Sequence, residues 1–367
     1  HYKISIIHFV PSMLKMFLQN ENSRSCQSLK HAICSGESLE RDVVNLFFKD
    51  FPSTRLHNLY GPTEAAIDVT AWECERNISN ERLRVPIGRA IANTKIYILD
   101  ENYNPVPPGC VGELYIGGVQ LARGYLGRPD LTAEKFVTVE ILGKETRLYS
   151  TGDLAVFSNG GVIDYIGRTD SQVKLRGLRI ELGEIDVALS NFNQIEQSVV
   201  VVKEIGQDKS LIAYYISKSK EAILIQELRR FLQEILPAYM LPQYFVSVEK
   251  FPLTSSGKLD RNSLPDPEYS LSIPSGFIEP QTDLEVYISS VWADVLSRER
   301  VGKNEDFFEI GGHSLLAVNM INRISKELEI KIPVRTLFEY SHLDDFSEKV
   351  EDIILGQADE ASQNYVN

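Results

Sequence analysis

The chain of 367 residues is long enough for two or three domains, and its 43% hydrophobic and 24% charged residues are an ordinary globular mixture with room for a core. A formal net charge of −13 argues against nonspecific binding to nucleic acid or to an anionic membrane. No apolar run approaches the ~18–20 residues that span a bilayer, and the opening "HYKISIIHFVPSMLKMF" lacks the basic start and cleavage site of a signal peptide. The four cysteines, Cys26, Cys34, Cys74 and Cys110, make no CxxC pair, and the six histidines show no HxxxH spacing. Reduced thiols, no structural zinc and a cytoplasmic location are expected. Because the chain opens on His1 in a strand-like stretch, a piece of something longer is expected.

In chain order, "ISIIHFV" reads as a strand and "PSMLKMFLQN" as a helix opened by proline. "LKHAICSG" is a second strand. "SLERDVVNLFFKDF" has helical period, with Leu39, Val43, Leu46 and Phe47 on one face. This rhythm predicts an α/β core with a parallel sheet covered by helices. From residue 84 to 168, short β-rich pieces such as "KIYILD", "GELYIGG" and "GGVIDYIG" predict a small antiparallel sheet or barrel. From Asp170 to Leu264 the pattern predicts a compact α+β domain: two short strands, a helix near 183–191, strands near 197–204 and 210–216, a helix near 223–235 and a strand near 243–248. Residues 265–280 are a proline-rich linker. Residues 281–356 read as mainly helical, in "DLEVYISSVWADVL", "SLLAVNMINRISKEL" and "LDDFSEKVEDIIL", and 357–367 as a disordered tail.

The polar loops carry the chemistry. "NLYGPTEAAID", Asn58 to Asp68, can stack a ring, donate hydroxyl hydrogen bonds and hold a cation by a carboxylate. "YSTGDL" and "GRTDSQVKLRGLRIELGEID" set Asp153, Arg168 and Lys174 among turns and strands. "TSSGK" is not a Walker phosphate loop, since Leu259 follows Lys258 where Ser or Thr is needed. "DFFEIGGHSLLA" opens an amphipathic helix on Ser314, with no neighbouring base to make that serine a nucleophile.

Taken in order, "NLYGPTE", "GELYIGGVQLARGYL", "YSTGDL", "GRTDSQVKLRGLRIELGEID", "LPAYMLP" and "SGKLDR" resemble the signature motifs of nonribosomal peptide synthetase adenylation domains, members of the adenylate-forming superfamily. "DFFEIGGHSLLA" resembles the attachment motif of peptidyl carrier proteins. The resemblance covers nearly the whole chain, but the family's Gly- and Thr-rich phosphate loop is absent. It implies residues 1–169 as the C-terminal part of the adenylation core, 170–264 as its small mobile subdomain and 281–356 as an all-α, four-helix carrier.

The resemblance implies activation of a carboxylic acid with ATP and Mg2+ as an acyl-adenylate, then transfer to a phosphopantetheine thiol. It implies adenine contacts by Asn58 and Tyr60 beside Gly61, Thr63 at the phosphate, Glu64 on magnesium and Asp153 on the ribose hydroxyls. Tyr165 and Arg168 would close around the nucleoside. Lys258 would be the adenylation lysine, Asp170 the hinge of the small subdomain and Gly177 part of the pantetheine tunnel. Ser314 would receive phosphopantetheine from coenzyme A through a separate transferase. "LPDP", Leu264 to Pro267, would pin the linker to the small subdomain.

Family pocket positions fall on His8, Ile33, Ser35, Leu59, Ile67 and Asp68, and with Lys258 the order resembles that of serine-activating domains. The expected partners are a small amino acid, the transferase and neighbouring condensation or other synthetase domains, without nucleic acid or membrane. Two other readings stay open: a carrier or docking fragment without adenylation activity, and a module for another small amino acid.

Overall fold

The computed structural model describes residues 3–76, 84–141, 143–205, 208–219, 223–254, 257, 259–267, 277–296 and 298–364. The chain divides into two units, His1–Glu181 and Leu182–Asn367.

In the first unit, strand β1 (Ile6–Phe9) leads into helix α1 (Pro11–Gln19), which Pro11 opens. Strand β2 (His31–Cys34), helix α2 (Arg41–Asp50) and strand β3 (Arg55–Tyr60) repeat the pattern. The three strands pair in parallel. Leu14 and Leu18 of α1 join Val43 and Phe47 of α2 in one buried cluster with Phe9, the i, i+4 spacing that gives a helix one apolar face. Strands β4 (Thr70–Glu73) and β5 (Arg89–Ala90) then add antiparallel. The sheet is therefore mixed rather than parallel throughout. The short turn after Tyr60 can only reverse the chain, since a parallel return needs a crossover of a dozen residues or more.

The second sheet is built from β6 (Thr94–Leu99), β7 (Val111–Gly118), β8 (Phe136–Ile141), β9 (Lys144–Ser158) and β10 (Val162–Arg168), with helix α3 (Pro129–Lys135) before β8. All its pairs are antiparallel. Its order is β10-β9-β7-β6, with β8 beside the first half of β9. The barrel-like expectation is corrected here: among the described residues β6 and β10 end the path without pairing to each other, so the sheet stays open. After Asp170, β11 (Gln172–Leu175) and β12 (Leu178–Glu181) form a hairpin that belongs to this unit. Its two turn residues, Arg176 at φ 53 and Gly177 at φ 77, are both left-handed, as the tightest hairpin turn requires.

The second unit opens with helix α4 (Leu182–Ser190), strands β13 (Ile195–Ile205) and β14 (Asp208–Ser217), helix α5 (Ile225–Ile235) and strand β15 (Tyr244–Ser247). The sheet order is β13-β14-β15, over a core of Val199, Val201, Ile212, Tyr214 and Leu264. Four helices follow: α6 (Asp283–Val295), α7 (Ser314–Glu327), α8 (Arg335–Glu339) and α9 (Leu343–Asn364). A reciprocal Thr282–Glu285 capping box starts α6. Trp292 is fully buried, with the rings of Phe307 and Phe346 at 5.0 and 6.1 Å. The expected disordered tail is also corrected. Helix α9 continues to Asn364, because "ADEASQN" lacks an apolar face yet keeps good helix formers.

Candidate active site

Strand β3 alternates so that Asn58 and Tyr60 point inward, 2% and 5% exposed. Gly61 follows, and a Cβ there would lie 2.2 Å from the Ile67 carbonyl oxygen, so only glycine lets the turn fold back. Ala66 and Ile67 sit at φ 55 and 77. For a β-branched residue that is a strained backbone, of the kind held at functional turns. The turn throws Ile67 outward, 64% exposed, and brings Thr63, Glu64 and Asp68 to the strand ends. Asn58 donates to the Pro86 carbonyl at 2.8 Å, while its Oδ1 is buried without a partner.

Asp153 lies inside β9, 3% exposed. The Tyr60 hydroxyl donates to one of its oxygens at 2.5 Å and Arg168 to the other at 2.6 Å. Arg168 then grips Asp170 by two bonds of 2.7 and 2.8 Å. One guanidinium thus joins the expected ribose carboxylate to the expected hinge. Burial favours the neutral form of Asp170, but the bond and charge of Arg168 outweigh it and hold the carboxyl below the usual range. The Tyr165 ring stands 6.5 Å from that of Tyr60, and burial pushes its hydroxyl up to about 12.

Glu64 accepts the Tyr125 hydroxyl at 2.7 Å and both of its oxygens face Arg179 at 3.0 Å. Burial works against its charge, yet these two partners win and keep the carboxyl ionised below its usual range. On the other side of the turn His8 Nε2 lies 2.8 Å from Ser35 Oγ. Asp68 keeps Oδ1 buried and unpaired, and burial raises its pKa against the opposing charge of His8. Ile33 stands beside His8 in the strand register, and Leu59 is half-buried on β3. Among the described residues there is no group of three or more metal-ligating side chains, and no helix long and apolar enough to cross a membrane.

The AMP-binding enzyme family matches residues 1–126, its C-terminal domain family residues 184–258, and the phosphopantetheine attachment site family residues 286–350. Phosphinothricin tripeptide synthetase PhsB of Streptomyces viridochromogenes is 45% identical over 348 residues, 94% of this chain and 29% of its own. The dimodular nonribosomal peptide synthase of Bacillus subtilis is 39% identical over 354 residues, 95% of this chain and 15% of its own. A solved holo adenylation–carrier protein bound to a vinylsulfonamide inhibitor superposes with a TM-score of 0.74 at 28% identity, over 95% of this chain and 57% of that one.

The chain belongs to the nonribosomal peptide synthetases. It spans less than a third of the length of these two curated relatives.

In this synthetase segment, Ser314 is the exposed first residue of α7. The preceding His313 caps the helix, its Nδ1 accepting the Leu316 amide at 3.3 Å. Gly311 has φ 108, and a Cβ on Gly312 would lie 2.3 Å from the Phe307 ring. Ala317, Met320, Ile321 and Ile324 are buried on one face of the helix, and Leu328 packs partly buried against the same core. The "LPDP" expectation also finds its contacts within the second unit. Lys203 donates to the Leu264 carbonyl at 2.7 Å and pairs with Asp266 at 2.9 Å. Lys258 lies outside the described residues.

Two residues of this site, Glu37 and Arg179, escaped sequence reasoning, and Lys174 was singled out there without a role. Gly177 N donates to Glu37 at 2.8 Å, and Glu37 also accepts the Ser12 amide at 3.1 Å. A Cβ on Gly177 would lie 2.5 Å from Val10, so the hairpin tip seats only as glycine. Lys174 and Arg179 are direct cross-strand partners and share one face of the hairpin. Lys174 Nζ lies 5.1 Å from the centre of the Tyr60 ring, and its burial lowers its pKa against the attraction of Asp153. The available signal was this pairing: two basic residues facing the same way, just past the expected hinge Asp170.

Proposed function

We propose that this segment supplies the C-terminal part of an ATP-dependent amino-acid adenylating site, together with the serine that carries the activated acyl group. Ser314 carries the reading. It is an exposed hydroxyl at the start of a 14-residue helix, where free backbone N–H groups and the helix dipole favour an incoming phosphate. The arm, once attached, supplies the thiol that accepts the acyl group. With a promiscuous pantetheinyl transferase and coenzyme A, intact-mass analysis is expected to show one phosphopantetheine added per chain. Ser314→Ala is expected to block it, and an equal mass gain in the variant would end the assignment.

The adenylating roles rest on the first unit. The unpartnered Oδ1 of Asn58 is an acceptor suited to the exocyclic amine of adenine, beside the Tyr60 ring. Asp153 has spare lone pairs for ribose hydroxyls while Tyr60 and Arg168 hold it in place. Gly61 and Thr63 shape the turn towards the phosphates, and Tyr165 and Arg168 flank the nucleoside. Glu64 is a buried carboxylate kept ionised, which fits Mg2+, an ion that takes one or two carboxylates and fills its shell with phosphate and water. Bound there, the ion would neutralise phosphate charge. Asp170 is the hinge and Gly177 lines the pantetheine path. Lys258 stabilises charge on the α-phosphate.

Serine is the amino acid we assign to the pocket of His8, Ile33, Ser35, Leu59, Ile67 and Asp68. The His8–Ser35 contact and the unpaired Asp68 oxygen offer polar partners to a hydroxymethyl group. Pyrophosphate exchange, with the upstream part of the adenylation domain joined to this segment, tests the reading against a carrier-only role. Absence of exchange with any small amino acid would favour the carrier-only role.

A further inference from the structure

His31 and His57 stand on the neighbouring parallel strands β2 and β3 and share one face of the first sheet. His31 Nδ1 lies 3.0 Å from His57 Nε2, and the rings stack with 5.3 Å between centres and 22° between planes. Both residues are half-buried. The adenylating and carrier roles use neither ring. On the same face, Ile6 stands beside His31 and Ile33 beside His57. Arg55 is the other cross-strand partner of His31, and Glu73 that of His57. Arg55 and Glu73 pair with each other at 3.6 Å, so the charges around the two rings largely cancel. Partial burial favours the uncharged form of His57 and lowers its pKa, against the opposing charge of Glu73. Uncharged imidazole is the form that ligates metals.

We propose that His31 and His57 are the two protein ligands of a site for a divalent transition ion such as Zn2+, on the part-exposed face of the first sheet. Two imidazole nitrogens, each about 2.0–2.1 Å from one tetrahedral ion, stand about 3.3 Å apart. The facing nitrogens are 3.0 Å apart, so a few tenths of an ångström of ring movement admits the ion. One of them carries a proton and the other accepts it. That proton passes to the other nitrogen of its own ring, both lone pairs then face the ion, and no proton is lost. Imidazole suits zinc-like ions, whereas Mg2+ takes oxygen ligands, so the site selects against the ion that ATP brings. Among the described residues no third ligating side chain is placed to join the pair, so water completes the shell. The site does not depend on the reading of Glu64 as the magnesium carboxylate.

A chelate differs from two separate histidines in how substitutions combine. The test uses the 367-residue chain with Zn2+ alone as the probe, its affinity read by competition with a chromophoric chelator. Glutamine at either position keeps a polar side chain and removes the ligand nitrogen. The part of the binding lost when both positions are changed is taken as the site's. His31→Gln alone and His57→Gln alone are each expected to weaken Zn2+ at this site by about 10²-fold, the gain when a second contact becomes intramolecular. Changing both is expected to cost no more than changing either, because one histidine without the other has already lost the chelate. In the unaltered chain, the 15N resonances of His31 Nδ1 and His57 Nε2 are expected to move together as Zn2+ is added and to stay in place with Mg2+. This second reading needs no variant to fold. Equal affinity in the unaltered chain and the variants would overturn the site, and so would losses that add from one substitution to the next. Zn2+ that moves other histidine resonances and leaves these two unmoved would overturn it as well.

Discussion

In the first unit, Asp153, Asp170 and Glu64 each face a guanidinium within 3.0 Å, and the Tyr60 hydroxyl adds a further bond to Asp153. Around Ser314 the design is reversed. A lone exposed hydroxyl sits on helices whose interior is Trp292, Phe307, Phe346 and aliphatic residues. On the proposed reading the first region holds charges ready for chemistry done in place, and these three carboxylates each keep a partner while they wait. On the same reading the second needs only a rigid, accessible mount for Ser314. Charged groups are costly to position and cheap to disturb, whereas an apolar mount tolerates change until its packing fails.

The contrast predicts the largest effects where buried polar groups select. If His8 and Asp68 grip the substrate hydroxyl, alanine leaves them buried and unpaired, and such a site rejects the deoxy analogue by about 10⁴-fold. Threonine keeps the hydroxyl and adds a methyl group, so its exclusion is only about 10–200-fold. Pyrophosphate exchange is expected to rank serine first, threonine second and alanine a distant third. Asp68→Ala should erode the serine-over-alanine preference more than it erodes activity towards alanine. If alanine or a large apolar acid outruns serine, the pocket assignment is wrong while the adenylation reading survives.

Next comes Lys258. Its loss to alanine is expected to slow adenylation by about 10²–10³, as for removal of a charge-stabilising donor. Transfer from preformed adenylate to the thiol should suffer far less, since the lysine's work is finished by then. Similar losses in both half-reactions would refute this division of labour.

On the carrier side the effects should be those of packing. Gly312→Ala places a Cβ 2.3 Å from the Phe307 ring and 2.4 Å from its carbonyl oxygen. The backbone must shift, at a cost of about 1–3 kcal/mol, which thermal unfolding of the carrier would report. Gly311→Ala meets no atom within 4 Å but must hold φ 108, so its cost is conformational and slows pantetheine loading through the loop's shape. Equal stability of Gly312→Ala and the unaltered chain would show that the mount is looser than its packing suggests.

How legible each region was in the sequence follows the same line. The carrier helices α6, α7 and α9 and the strands and helices of residues 182–247 fell close to their predicted places, because apolar period reports one-sided burial directly. Helix α8 was missed, being only five residues long. The parallel part of the first sheet was readable, but not its antiparallel part, which depends on a reversal at Gly61 that periodicity does not encode. In the site, "NLYGPTE" and "YSTGDL" could be singled out because their residues are neighbours in sequence, and the structure joins Tyr60 of the first to Asp153 of the second. Glu37 and Arg179 could not, since their roles exist only when the hairpin meets residues more than a hundred positions away.

Asp186 offers the finest test, because it breaks the pattern. It lies on α4, in the same unit as Ser314, and its Oδ1 is buried without a hydrogen bond. Burial pushes its pKa up to about 6, against a backbone hydrogen bond from Val200 and the charge of Arg261. The folded value stands above the ordinary one, so folding takes up a proton as the pH falls between them. The contribution of this group is full below the ordinary value of 3.8 and is lost as the pH rises through about 6. Asp186→Asn keeps the shape and removes the charge. At pH 8 the variant's α4 amides are expected to exchange several-fold more slowly than those of the unaltered chain, because local opening there becomes less frequent. At pH 4 the two should agree. A difference of the same size at both values would mean that the amide acts through packing, and that Asp186 is as well partnered as Asp153, Asp170 and Glu64 of the first unit.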